Sequence, residues 1–514
     1  MPIALPAPLP PVQGAADIIK TQGAAIVTAS VKDTQVHVIG PDVVNKATLE
    51  GVLANAVDLS DAVRQIQAVY YTAGYPAVKV TYGLAQPDLF VLVSLNKVSA
   101  VEVPAPYDAY FSGLPSADPL TDADLEPART MASLHADRAG QIAVPVFKAD
   151  AENTVLRIEP TDGGPGRSTM GLSFGNPGNR FVGRHFLDYF AGHGFTTGDE
   201  LRATGRHATT GVNNDDEAES YYEHTLSWSK VTPLGLFGVT GRNVGYQQPI
   251  SLVVGADPVS FDGKIRQGEV SWLYLLAADF DSRLAVGAKL DYTYKNFDVT
   301  LTDELIQRQE YGSAELSAEY TRAVRPMDVR TDLNAGLAVR SGLGSDETDN
   351  AIRAADFGYL LFRPSLGLRA GVGQALVASL RINGQYSGDT VPEQQQWVMG
   401  GVGNMEAYLP GVATGDSGGL ARLQLEATVL DLGSFKLVPR VFAEYGFTRL
   451  ENPFLGQPDG TQSLADAGVA LGIAFGKYLE ASVSYAESFE EDGIDEAVLE
   501  NADANMFFQV GAKF

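Results

Sequence analysis

The spacing of apolar and polar residues changes character near residue 165. Before that point it is mixed. Val36 to Gly40 alternates as a short strand. Leu49–Ala56 and Leu59–Ala73 read as helices, the second with Val63, Ile66 and Tyr70 at helical spacing. Asp58 or Ser60 is placed to cap that second helix, and Gly74 to stop it, because a helix end in the left-handed region prefers glycine. Ala77–Tyr82 and Phe90–Leu95 follow as strands. A less regular second copy comes next. It has a strand near Val98–Pro104, a helix from Thr121 to His135, and strands at Ile142–Phe147 and Val155–Ile158.

From about Arg167 onward the helical period disappears, and alternating segments of about ten residues take over. Leu284, Val286, Ala288, Leu290, Tyr292 and Tyr294 share one face, with Lys289, Asp291 and Thr293 on the other. Leu333 to Val339, Val469 to Phe475 and Leu479 to Tyr485 repeat the pattern. The chain ends on it too: Met506, Phe508, Val510, Ala512 and the terminal Phe514 alternate with Phe507, Gln509, Gly511 and Lys513. About sixteen segments can be counted, an even number that suits a bacterial transmembrane barrel. The connectors alternate between short ones (279–283, 326–328, 371–374, 431–435, 476–477) and long ones (213–219, 344–350, 490–505). A soluble sandwich has no reason to alternate in this way.

Composition narrows the reading. No stretch of about 18 apolar residues is present, so a membrane-spanning form must be a closed barrel, in which every backbone group is paired. The expected fold is therefore mainly β: a C-terminal 16-stranded transmembrane β-barrel preceded by two small α+β domains. A net charge of −26 argues against nucleic acid as a partner. There is no cysteine, hence no disulfide or thiolate metal site. Residues 1–30 are Pro- and Ala-rich, a lead-in expected to follow a removed export signal. Gly415–Gly419 reads GDSGG, the surroundings of a trypsin-like nucleophile, but none of the six histidines sits in a matching context. No catalytic residue, metal site or cofactor is expected, and the chain does not read as an enzyme.

The order strand, helix, helix, strand, strand, with AVYYTAGYPAVKV (68–80) at its junction, resembles a POTRA module. With the barrel behind it, the whole chain resembles the TpsB-type transporters of two-partner secretion, in the outer-membrane assembly superfamily. The resemblance divides the chain into a lead-in (1–30), POTRA 1 (31–97), POTRA 2 (98–162) and a barrel (165–514) with a long sixth loop at about 388–419. Residues 171–190 with GDEL (198–201) look like the family's first hairpin, and GGVGNMEAYLPGVATGDSGG (400–419) like its sixth loop. Phe442, Glu444 and Gly446 match its Phe-x-Asp-x-Gly strand motif. The family's loop arginine falls on Glu406 and its glycine on Ala407, while Tyr408 is retained.

The resemblance implies that the loop enters the lumen and meets the strand motif. Here two carboxylates, Glu406 and Glu444, would meet, which costs energy without a proton or cation between them. By alternation Arg440, Phe442 and Glu444 face inward, as do Arg422, Gln424 and Glu426. Either Arg422 or Arg440 replaces the missing guanidinium, or the loop is unlocked. The implied function is an outer-membrane pore whose POTRA domains, in the periplasm, recognise an unfolded partner protein by strand addition and feed it outward. Two alternatives are an assembly factor for other barrels and a passive solute porin. The implied partners are the secreted protein, outer-membrane lipid, and the barrel-assembly machinery, which would read the ending on Phe514 as an assembly signal.

Overall fold

The computed structural model describes residues 24–85, 87–149, 154–179, 182–209, 220–250, 259–300, 304–326, 329–344, 347–349, 355–373, 375–453 and 460–514. The expected connector at 213–219 and parts of those at 326–328, 344–350 and 371–374 lie outside these residues, as does the lead-in up to residue 23.

The first module has strands Val27–Val31, Thr34–Ile39, Val78–Ala85 and Asp88–Leu95, and helices Lys46–Asn55 and Leu59–Thr72. Asn45 caps the first helix by accepting the Ala47 N–H, and Asp58 caps the second by accepting that of Asp61. Both helices cover one sheet, with Leu49, Leu53, Ile66 and Tyr70 against Val36, Val38 and Val91. The strand Val27–Val31 begins inside the segment read as lead-in (1–30) and ends on the first residue of the expected first module. Val27, Ala29 and Val31 do alternate, but the run is short and sits at the end of an Ala-rich stretch. Its partner makes it a strand: it folds back on Thr34–Ile39 in register Val31↔Thr34, turning at Lys32 with φ 54°.

The second module carries one long helix, Asp122–Arg138, opened by a capping box in which Thr121 and Asp124 bond each other's backbone N–H. It has a small sheet of Ala100–Glu102, Thr154–Ile158 and Pro145–Ala149, with the last at the edge. Phe111, Leu125, Leu156 and Ile158 form its core.

Sixteen antiparallel strands close a barrel. The first, Ser168–Gly175, pairs with both the second, Phe186–Gly194, and the last, Met506–Lys513. Alternation sends Leu172, Leu226, Val239, Leu290, Leu316 and Val469 to the exposed outer face, while polar side chains line the lumen. An apolar band facing outward is stable only against lipid. Strands six and eight, Val259–Ala278 and Glu304–Val324, have 20 and 21 residues. At roughly 3.3 Å per residue they reach well beyond the membrane. The segment 490–505, read as a bare connector, is partly ordered into regular structure. Strand fifteen continues to Asp492, and a helix spans Glu496–Ala502. Seven residues are too few to show a period, and this helix is held by packing that only the folded chain supplies.

Candidate functional site

The sixth loop leaves strand eleven (Leu376–Gln385), returns at strand twelve (Ser417–Ala427), and folds inward between them. A two-strand ribbon of Trp397–Met399 and Ala413–Gly415 carries its tip. The Gly401 N–H donates to the Tyr408 carbonyl at 2.7 Å, and Met405 takes a left-handed φ of 65°. These contacts turn the chain tightly enough to present Glu406 to the wall.

The wall answers with one row of three inward residues on adjacent strands. Arg422 stands directly opposite Glu444 on strand thirteen (Phe435–Arg449), and Glu444 opposite Asp466 on strand fourteen (Thr461–Phe475). One guanidinium nitrogen of Arg422 donates to Glu406 Oε1 at 2.7 Å and to Glu444 Oε1 at 2.8 Å. The loop backbone completes the seat: the Glu406 N–H donates to Glu444 Oε2 at 3.0 Å, and the Ala407 N–H to Asp466 Oδ2 at 2.8 Å. The guanidinium also lies over the Phe442 ring, 4.2 Å from its centroid, where a cation and an aromatic face attract. Glu406 is 3% exposed, Glu444 2% and Asp466 0%. Two buried carboxylates therefore share one arginine, and a third buried acid, Asp466, stands beside Glu444 without touching the arginine.

Of the residues singled out in the sequence, Glu406, Arg422, Phe442 and Glu444 meet at this point. Gly446 lies beside it, and an added Cβ there would be 3.0 Å from the Met399 sulfur and 3.1 Å from that of Met405. Glycine at this position leaves room for both methionines of the loop. Tyr408 points away from the arginine, and its hydroxyl donates to Glu491 at the end of strand fifteen. Arg440 forms no ion pair with either carboxylate. It lines a lumen cavity of about 750 Å³ together with Arg206, Glu223 and Gln509. Phe514 is remote from the loop: it closes the barrel seam, exchanging backbone bonds with Met170 at 2.8 and 3.1 Å.

Sequence reasoning missed several residues that hold the loop. Asp466 has no local signal, because a lone acid in an Ala-rich strand gains meaning only through its register with Glu444. Asp416, inside the GDSGG run, is fully buried and ties three segments together. Its carboxylate accepts the Val391 N–H at 2.9 Å and the Glu451 N–H at 2.7 Å. Ser417 accepts from the Ser387 N–H and donates to the Ser387 carbonyl, both at 3.0 Å, a structural use of the supposed nucleophile. A second anchor grips the rising limb of the loop. There Glu393 pairs with Lys295, and Arg363 donates to Gln395 at 3.2 Å. The helix Glu496–Ala502 covers the tip, with Leu499 and Ala502 in the same apolar cluster as Met405 and Tyr408. The Leu409 N–H donates to the Ala502 carbonyl at 2.7 Å, and the Ala504 N–H to that of Ala407 at 3.1 Å.

At the other end of the barrel the second module docks against the short turns. Arg138 donates to the carbonyls of Gly198 and Ser229 at 2.9 and 3.1 Å, and its burial lowers its affinity for the proton. His135 Nε2 donates to the Thr196 carbonyl at 2.9 Å. Tyr110 donates to the Val231 carbonyl at 3.1 Å, and burial pushes its phenol up to about 12, so it remains a donor. Tyr71 of the first module stacks on Phe280 at 4.9 Å, and the Phe280 N–H donates to Asp122 at 3.2 Å. Among the described residues no group of three or more His, Asp or Glu is arranged to hold a metal ion.

The family model for the haemolysin secretion/activation proteins ShlB/FhaC/HecB matches residues 154–475. Among solved structures, CdiB from Escherichia coli superimposes with a TM-score of 0.69 at 13% identity, covering 97% of this chain and 95% of that one. CdiB from Acinetobacter baumannii gives 0.63 at 13% identity, covering 100% and 95%. Among curated proteins, none matches the chain in sequence at a significant level.

Proposed function

Because the chain belongs to the haemolysin secretion/activation family ShlB/FhaC/HecB, we propose that it exports an unfolded partner protein, captured in the periplasm by its two POTRA-like modules and passed through the barrel. The chain is an outer-membrane β-barrel transporter of the two-partner secretion type, with small α+β modules on the periplasmic side. The observation that carries the export reading is the stacking of the second module directly under the barrel's short-turn mouth, through Arg138, His135 and Tyr110. A solute porin has no use for such modules. Among the described residues both modules leave a sheet edge unpaired: Val78–Ala85 in the first and Pro145–Ala149 in the second. An extended chain can add to such an edge through backbone bonds with little demand on its sequence. In the resting state the sixth loop blocks the lumen, held by Arg422 between Glu406 and Glu444, and it must move for a polypeptide to pass. Insertion by the barrel-assembly machinery, through the strand that ends on Phe514, belongs to the same reading.

Deleting residues 24–97 tests it. Export of a co-expressed partner exoprotein should fall to background while the barrel still reaches the membrane and folds. Undiminished export would sink the proposed capture step. Loss of other outer-membrane barrels from the cell on the same deletion would favour an assembly factor.

A further inference from the structure

The lipid-facing surface of the barrel carries a notch. Gly241 on strand five and Gly268 on strand six stand directly opposite each other, and both face outward and are exposed. An ideal Cβ at either position would meet nothing within 4 Å. Neighbouring outward positions at this height are filled: Leu226 lies opposite Gly241 on one side, and Tyr292 opposite Gly268 on the other. On the membrane side Val239 and Val270 floor the notch, and both are exposed. Two adjacent glycines thus leave out two side chains between Leu226 and Tyr292 on this face.

Cations sit immediately above the notch, toward the loop side. Arg266 and Asn243 are the next outward pair, opposite each other, and Lys264 follows two residues beyond Arg266. Arg266 and Lys264 are both exposed. Neither forms an ion pair with a described residue. His224 lies opposite Asn243, its Nε2 3.0 Å from that of His207. A groove of about 580 Å³ borders Gly241 on the side of strands three and four, lined by His224, Leu226, Gly241, Asn243 and Arg266 but not by Gly268 or Lys264. On this face Glu310, two strands from Arg266, is already held by Arg308 at 2.8 Å, and Asp262 lies two residues beyond Lys264. Asp262 and Asp298 stand opposite each other one step further out. On strands ten to thirteen the outward residues Phe362, Tyr386, Ile382, Gly419 and Phe447 carry no charge.

The height identifies the leaflet. The periplasmic modules dock on the short turns, so the loop side faces outward, and Tyr292 and Tyr189 mark the upper aromatic girdle. An apolar notch with unpaired basic side chains above it at the outer headgroup level suits a phosphorylated amphiphile. Arginine and lysine bind phosphate through charge-assisted bonds, and basic groups at a membrane surface attract anionic headgroups.

We infer that Gly241 and Gly268 form a seat for one acyl chain of a phosphorylated glycolipid of the outer leaflet, whose headgroup phosphate is held by Arg266 and Lys264. The site is separate from the lumen and from the modules.

Native mass spectrometry of the full-length protein in detergent micelles tests this. The micelles are doped in turn with bisphosphorylated lipid A, with its phosphate-free form, or with phosphatidylglycerol. The bisphosphorylated form should bind one to one and at least tenfold more tightly than either other lipid. Arg266→Gln with Lys264→Gln should weaken it at least tenfold. Gly241→Val with Gly268→Val should do the same without changing any charge. The shift of the folded band on heating, read on a gel, verifies that each variant is inserted and closed. If the glycine variant fails to fold, the glutamine variant alone decides. Unchanged binding in the glutamine variant overturns the inference, as does equal binding of the phosphate-free lipid. Displacement by millimolar inorganic phosphate, or equal binding of phosphatidylglycerol, would show an unselective anion site and overturn the glycolipid assignment.

Discussion

Arg422 is the residue on which the sixth loop turns. Its side chain is 11% exposed, and those of Glu406 and Glu444 are 4% and 0%. Removing one partner of a buried ion pair costs up to about 3–5 kcal/mol, and water in the lumen reduces this. Arg422→Ala should therefore make the loop leave its seat more often, seen as larger current fluctuations in planar bilayers. Arg440→Ala should match the parent, because Arg440 lines the cavity and does not touch the loop. If the two variants behave alike, the loop is not held by this pair. A second prediction follows from the crowding of acidic side chains around one guanidinium. Asp466→Asn keeps an oxygen for the Ala407 N–H and cannot ionise beside Glu444. It should quieten the channel and raise the melting temperature, and a noisier channel would contradict the argument. The inward face of Arg422, Phe442 and Glu444 was legible in the sequence, since alternation alone assigns faces. The choice between Arg422 and Arg440 was not. Both face the lumen, and only the register opposite Glu444 separates them.

At the scale of elements, legibility followed length and period. The long alternating strands and the helix Leu59–Thr72 show their pattern over several repeats, so pairing had little to add. Val27–Val31 and Glu496–Ala502 are short, and each owes its structure to a partner. The first is held by the hairpin with Thr34–Ile39, the second by the loop it covers. The latter is the testable case. A seven-residue helix is marginal in water, so its order rests on Asp495 at its N-cap and on Leu499 and Ala502 beneath it. Leu499→Asp puts a charge into the apolar cluster around Met405 and Tyr408, which costs more than the helix can offset. The segment 493–505 should become sensitive to added protease on intact cells. The loop should unseat more often as well, because the Ala502–Leu409 and Ala504–Ala407 backbone bonds are lost with the helix. Unchanged protection would mean that the cover is held from elsewhere.

The barrel as a whole is a chain of local hairpins closed by one distant pairing. Each strand meets its successor across a turn or a loop, but the seam joins Ser168–Gly175 to Met506–Lys513, more than three hundred residues apart. Non-local pairings carry the largest loop-closure cost, so closure is the step most exposed to failure. The two ends of the seam are fastened differently. On the loop side Asn176 acts as a clip: its side chain donates to the Met506 carbonyl at 2.9 Å and accepts the Phe508 N–H at 2.7 Å. On the periplasmic side Phe514 exchanges two backbone bonds with Met170, and its ring stacks near Tyr478 at 6.3 Å. Each bond is worth about 1 kcal/mol net, and Phe514 sits at the periplasmic end of the seam, so its bonds form first if the seam zips from that end. Deleting Phe514 should therefore lower the yield of closed barrel, read as the fraction whose gel mobility shifts on heating, while molecules that do close melt within a few degrees of the parent. Asn176→Ala should show the reverse: normal yield but a lower melting temperature, because its bonds strengthen the seam after closure. Equal effects of the two changes on yield and on melting would show that the seam closes as one unit, with no leading end.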